Sequence, residues 1–141
     1  MALNPHFKTT VRSAWLDRLN TDCSASAIFT IYSGVQPADV SVATTAANTV
    51  LATLVCAATT FGAAAATAAA SYVTANAIAS DASAAGSTTV SAAWFSIQNS
   101  TGARVIDGSV GTATSDLILN SVMISTGATV SISAFTVTSA V

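Results

Sequence analysis

The chain has 141 residues, of which 52% are hydrophobic, 7% charged and 6% aromatic, and its net charge is −2. That length suits one domain with a real core and is too short for two. A typical soluble domain is about a quarter charged, so a surface built mainly of Thr, Ser and Ala reads as one that rests against other protein.

Three of the four bases, Lys8, Arg12 and Arg18, fall in the first 18 residues, and the rest of the chain is acidic. A basic leading segment before an acidic body suggests an acidic partner surface as much as a solvated helix face. Nucleic acid is a poor partner, because the pI is about 4.7 and three bases on one short helix make a thin electrostatic footprint.

In chain order, NPHFKTTVRSAWLDRLNTD predicts a helix. Phe7, Val11, Trp15 and Leu19 recur every fourth residue as an apolar stripe, with Thr9, Thr10, Ser13 and Asp17 on the other side. Asn4 is the expected N-cap, Pro5 the first helical residue, and the end is expected near Asn20. Such a short helix is marginal alone, so its Trp15 must be covered by its own domain or by a neighbouring subunit.

After Ser26 the period changes to two. AIFTIYSG, TVLATLVCA, SYVTANAI, TTVSAAWFSIQNS, RVIDGSVGT, DLILNSVMIS and TVSISAFTVTSAV read as strands, with turns about every 8–12 residues. In the last of these Val130 and Ile132 share one face while Phe135 and Val137 take the other, which predicts a bulge near Ala134. The expected fold is mainly β: a single antiparallel, jelly-roll-like sandwich of about eight strands (26–141) behind a short N-terminal helical arm (1–25).

The block Ala63–Ala70, broken once by Thr67, lies in an uncharged run from Val40 to Ser80. Thr and Ser interrupt it throughout and no aromatic or basic belt flanks it, so a membrane span is rejected. Ala favours helix, but no cap precedes the block and a β-rich stretch follows, so an extended or loop conformation is expected. Small side chains let another backbone approach, which makes Ala65, Thr67 and Ala69 candidate subunit contacts.

Catalysis is not expected. His6 is the sole histidine, and there is no Glu to join the six Asp as paired carboxylates. Asp81, Asp107 and Asp116 fall in or beside predicted turns, where Asp bonds to backbone. A calcium site from Asp107 and Asp116 lacks the regular ligand spacing. Cys23 and Cys56 are expected to be buried free thiols, with no export signal ahead of them. No cofactor or metal is expected.

The ordered segments IYSGVQPADV, VLATLV, FGAAA, TANAIASDASA, AAWFSI, VIDGSVGT and DLILNSVMISTGATVSISAFTVT together resemble a group of small β-rich proteins from the structural gene modules of tailed bacteriophages and prophages. Some of these look like capsid cement or decoration proteins. The long alanine block departs from that pattern. The resemblance implies a virion protein, made in the host cytoplasm, that binds the outside of the head and stabilises it. Its implied partners are the major capsid protein and copies of itself, expected as a homotrimer. Lys8, Arg12, Trp15 and Arg18 are then the expected capsid contacts, and removing residues 1–20 should leave the body folded. The alternative is a tail- or fibre-associated module that recognises a cell-surface glycan through Tyr32, Tyr72 or Trp94.

Overall fold

The computed structural model describes residues 7–23, 25–67 and 70–140. One helix, α1 (Thr9–Cys23), precedes eight strands: β1 (Ile28–Tyr32), β2 (Val50–Val55), β3 (Ala65–Ala66), β4 (Ala70–Thr74), β5 (Trp94–Gln98), β6 (Arg104–Gly111), β7 (Leu117–Ile118) and β8 (Thr136–Ala140). They form a five-stranded sheet, ordered β2-β1-β5-β6-β7, and a three-stranded sheet, ordered β3-β4-β8. The mainly β, sandwich-like architecture expected from the two-residue period is therefore present. It departs from a purely antiparallel design at one place, where β7 runs parallel to β6.

The alternation in AIFTIYSG and AAWFSIQ has the predicted consequence. Phe29 and Ile31 of β1 lie opposite Ile97 and Phe95 of β5 on the core face. Phe29 and Phe95 stack with ring centroids 4.7 Å apart, and Phe135, just ahead of β8, meets both edge-on at 5.4 and 5.3 Å. Phe61 completes this cluster at 6.5 Å from Phe135. The aromatic group joins the two sheets, where large rings contribute much of the buried apolar area. The STGA turn after β5 closes around Gly102, at φ +83°, a conformation that costs glycine little.

The second face of the large sheet is covered as well. Tyr32 and Trp94 stack there at 4.3 Å, and the indole N–H donates to the Ser33 carbonyl. Residues 33–49 fold over this face and are held by Arg104. Its guanidinium pairs with Asp107 at 3.1 Å, donates to the carbonyls of Asp39 and Val42, and lies 5.5 Å from the Trp94 ring centre. This covering layer is why β1 and β5 are buried on both faces.

Two further elements differ from expectation. The helix starts at Thr9, where the Lys8 carbonyl accepts from the Val11 and Arg12 amides, and it runs to Cys23 rather than Asn20. Asn4, Pro5 and His6 lie outside the described residues. Near the C-terminal end, Val130 bridges Asp81 and the regular strand begins only at Thr136. The phase change predicted near Ala134 is thus a break before the strand and not a bulge within it.

Candidate partner-binding surfaces

The helix presents a different face from the one its apolar stripe predicts. Leu16, Cys23 and Arg12 face inward, while Phe7, Val11 and Trp15 face solvent at 43%, 40% and 54% exposure. Residues four apart drift about 40° per step around a helix of 3.6 residues per turn. The stripe therefore faces solvent from Phe7 to Trp15 and winds round to the core only at Leu19, which packs against the buried cluster. Phe7 and Trp15 touch, with ring centroids 4.9 Å apart, so they form one aromatic patch without a lid among the described residues.

The predicted partner contacts divide accordingly. Lys8, Trp15 and Arg18 are exposed. Arg18 forms an i,i+4 pair with Asp22 at 2.8 Å, open to solvent and so weakly stabilising. Arg12 is the correction: it is 3% exposed. Its guanidinium donates to the Phe7 carbonyl at 2.9 Å and reaches Ser71 Oγ on β4 at 3.5 Å. Arg12 therefore braces the helix N-terminus against the small sheet and is not presented to a partner.

The helix is also bound to the body. Asn20 donates to the Phe61 carbonyl and accepts from the Phe61 amide, both at 2.8 Å, and Asp17 accepts from the Ala64 amide at 2.8 Å. These bonds explain the alanine block. It cannot continue as a helix because its leading backbone is tied to α1, and Ala65–Ala66 pairs antiparallel with Tyr72 and Ser71. Thr67 turns the chain, its amide donating to the Ala70 carbonyl at 2.7 Å. Over its described residues, 63–67 and 70, the block is extended or loop, as expected. Ala65 and Thr67 are exposed at this edge, and Ala69 lies outside the described residues.

A concavity of about 610 Å³ opens between Val40–Thr44 and the β5–β6 hairpin, with Tyr32, Gln98 and Arg104 in its wall. Its polar groups are mutually engaged. Gln98 donates to the Tyr32 hydroxyl at 2.7 Å and to Ser96 Oγ at 3.1 Å. Of the three aromatic residues that could greet a glycan, Trp94 is fully buried, Tyr32 nearly so, and Tyr72 alone is open, at 37%.

The acidic side chains serve the backbone. Asp81 accepts from the Thr53 and Ser83 amides. Asp116 accepts from the amide and hydroxyl of Ser109, which holds its carboxyl below the usual range. Asp39 is lowered in the same way, chiefly by the Ser41 hydroxyl. Asp107 is taken by Arg104 and Gln36. Among the described residues no three metal-ligating side chains converge, and no helix is long and apolar enough to cross a membrane.

Cys23 and Cys56 are buried free thiols. Burial, with smaller contributions from Cys56 and Asp22, pushes the Cys23 thiol up to about 11 from its ordinary 9.0. The unfolded chain then releases that proton first, so this contribution to stability is intact below pH 9 and is lost as the pH rises toward 11. Urea midpoints at pH 8 and pH 10 should differ in that direction, and Cys23→Ala should reduce the difference. Equal pH sensitivity in the variant would show that other groups cause it.

No family model, curated protein or solved structure matches this chain.

Proposed function

We propose that this protein is a virion structural component of the cement or decoration kind, acting on the outer surface of a phage head through contacts and not through chemistry. The observation that carries the reading is the Phe7–Val11–Trp15 patch, which among the described residues stands open along a helix that is otherwise bound firmly to its body. Lys8 and Arg18 flank it. An aromatic centre with a cationic rim is the composition of a protein-binding hot spot, and it suits an acidic capsid surface. Sparse charge elsewhere agrees with a molecule held among many neighbours, whose weak contacts gain strength by repetition over a closed shell. The expected partners are the major capsid protein and further copies of the chain, with the trimer as the expected order.

Deleting residues 1–20 no longer isolates the anchor, because Leu16 belongs to the core. Trp15→Ala is the better test, since the side chain is more than half exposed and its loss should leave the melting temperature nearly unchanged. Co-sedimentation with bare heads should saturate for the unaltered protein and raise the temperature of genome release. Trp15→Ala should weaken binding by about 2 kcal/mol, roughly thirtyfold. Unaltered binding would remove the helix from the interface. No binding to heads, with adsorption to host cells instead, would favour the tail-module reading.

A further inference from the structure

Among the described residues the small sheet ends in an unguarded edge. The register of β4 and β8 pairs Val73 with Val137 and Ser71 with Ser139. Just beyond it the Ala75 amide donates to the Phe135 carbonyl at 2.8 Å. In an antiparallel ladder the bonded pairs alternate, so residues 135, 137 and 139 direct their backbone groups toward β4. Thr136, Thr138 and Ala140 direct theirs outward. β8 pairs with β4 alone among the described strands. Thr136 and Thr138 are exposed, and beside the edge lies an open cleft of about 210 Å³ with Ile106 and Asp116 on its other wall.

Two of the other edges, β2 and β3, are managed. The open side of β2 is occupied by bonds from Ala79 and Gly86 to the Val55 and Leu51 carbonyls, and by Asp81 on the Thr53 amide. Asp17 blocks the approach to β3. The β8 edge has none of the usual protections. It holds no Pro, no inward charge and no Lys, and residues 117–141 carry no charge at all.

We propose that β8 pairs antiparallel with β8 of a second copy, about a two-fold axis at Thr138. The occupant follows from self-complementarity. Thr138 then faces its own counterpart and Thr136 faces Ala140, each such pair exchanging two hydrogen bonds. Two uncharged copies of TVTSA meet without repulsion, which an acidic or basic partner strand would gain nothing from. The two three-stranded sheets become one continuous sheet across the axis. The proposal does not depend on the capsid reading, since it concerns the free protein in solution.

Sedimentation velocity of the purified full chain over a concentration series should show a monomer–dimer equilibrium. Thr138→Pro removes an N–H that points away from β4, a place where an edge strand tolerates proline. It should raise the dimer dissociation constant at least about tenfold while the circular dichroism and melting temperature stay close to the original. If that variant fails to fold, Thr138→Lys decides: like charges meet across the axis, so the dimer should dissociate at low salt and re-form at high salt. Ala65→Arg, on the opposite edge, should leave the dimer intact. A monomer at every concentration, a dimer indifferent to both Thr138 variants, or one dissociated by Ala65→Arg would each overturn the proposal.

Discussion

Replacing Arg104 by Met should destabilise the protein by about 3–5 kcal/mol, the cost of breaking a buried ion pair from one side. Both members of the Arg104–Asp107 pair are largely shielded from water, so Asp107 would be left with Gln36 as its remaining side-chain donor. The same guanidinium also holds the Asp39 and Val42 carbonyls. Its loss should therefore release residues 33–49 locally as well as lower the global midpoint. Urea denaturation measures the first effect, and limited proteolysis between residues 38 and 44 the second. The double variant Arg104→Met with Asp107→Leu should recover part of the loss, because no buried charge then lacks a partner. A single-variant cost below about 1 kcal/mol would place this pair with ordinary surface pairs.

Phe135→Ala should be at least as damaging, about 3–5 kcal/mol for a large aromatic removed from a packed core. For a chain of this size that lowers the melting temperature by roughly 10–20 °C. Phe135 meets Phe29, Phe95 and Phe61 at once, and it comes from the small sheet's side of the core. Its truncation therefore separates layers that no disulfide joins, since both cysteines are free. Phe135→Leu should retain most of the stability, as volume is largely kept. A Phe135→Ala variant that melts within a few degrees of the original would show that the layers are held mainly elsewhere.

The strands were legible because side chains on a pleated sheet alternate and Gly-containing turns interrupt them. TTVSAAWFSIQNS, STGA and RVIDGSVGT thus gave a hairpin in the correct place. What alternation does not reveal is a covering layer supplied by a loop. Residues 33–49 contain no periodic signal, yet they bury Trp94 through a carbonyl–indole bond and an arginine 71 positions beyond Ser33. The helix shows the same limit differently. Its period was readable, but periodicity identifies a stripe and not the side that faces the core. Arg12 lies inward because its guanidinium finds the Phe7 carbonyl and Ser71, and Ser71 is a partner distant in sequence. The alanine block resolved as extended through Asp17 and Asn20, two polar residues on α1 whose reach across 47 and 41 positions no local pattern encodes.

The strand order also bears on when the protein can fold during its synthesis. β1 waits for β5, its neighbour in the large sheet, and the core that receives Phe29 and Phe95 waits for Phe135. Such distant pairings place folding in the slower, millisecond-to-second range. Until residue 135 emerges, Phe29, Phe61 and Phe95 lack the ring that packs against all three, and the growing chain has little charge with which to repel its neighbours. A cell making many copies at once would hold a transient population of open chains. Their yield should then depend on temperature and chaperone supply more steeply than the finished molecule's stability would suggest.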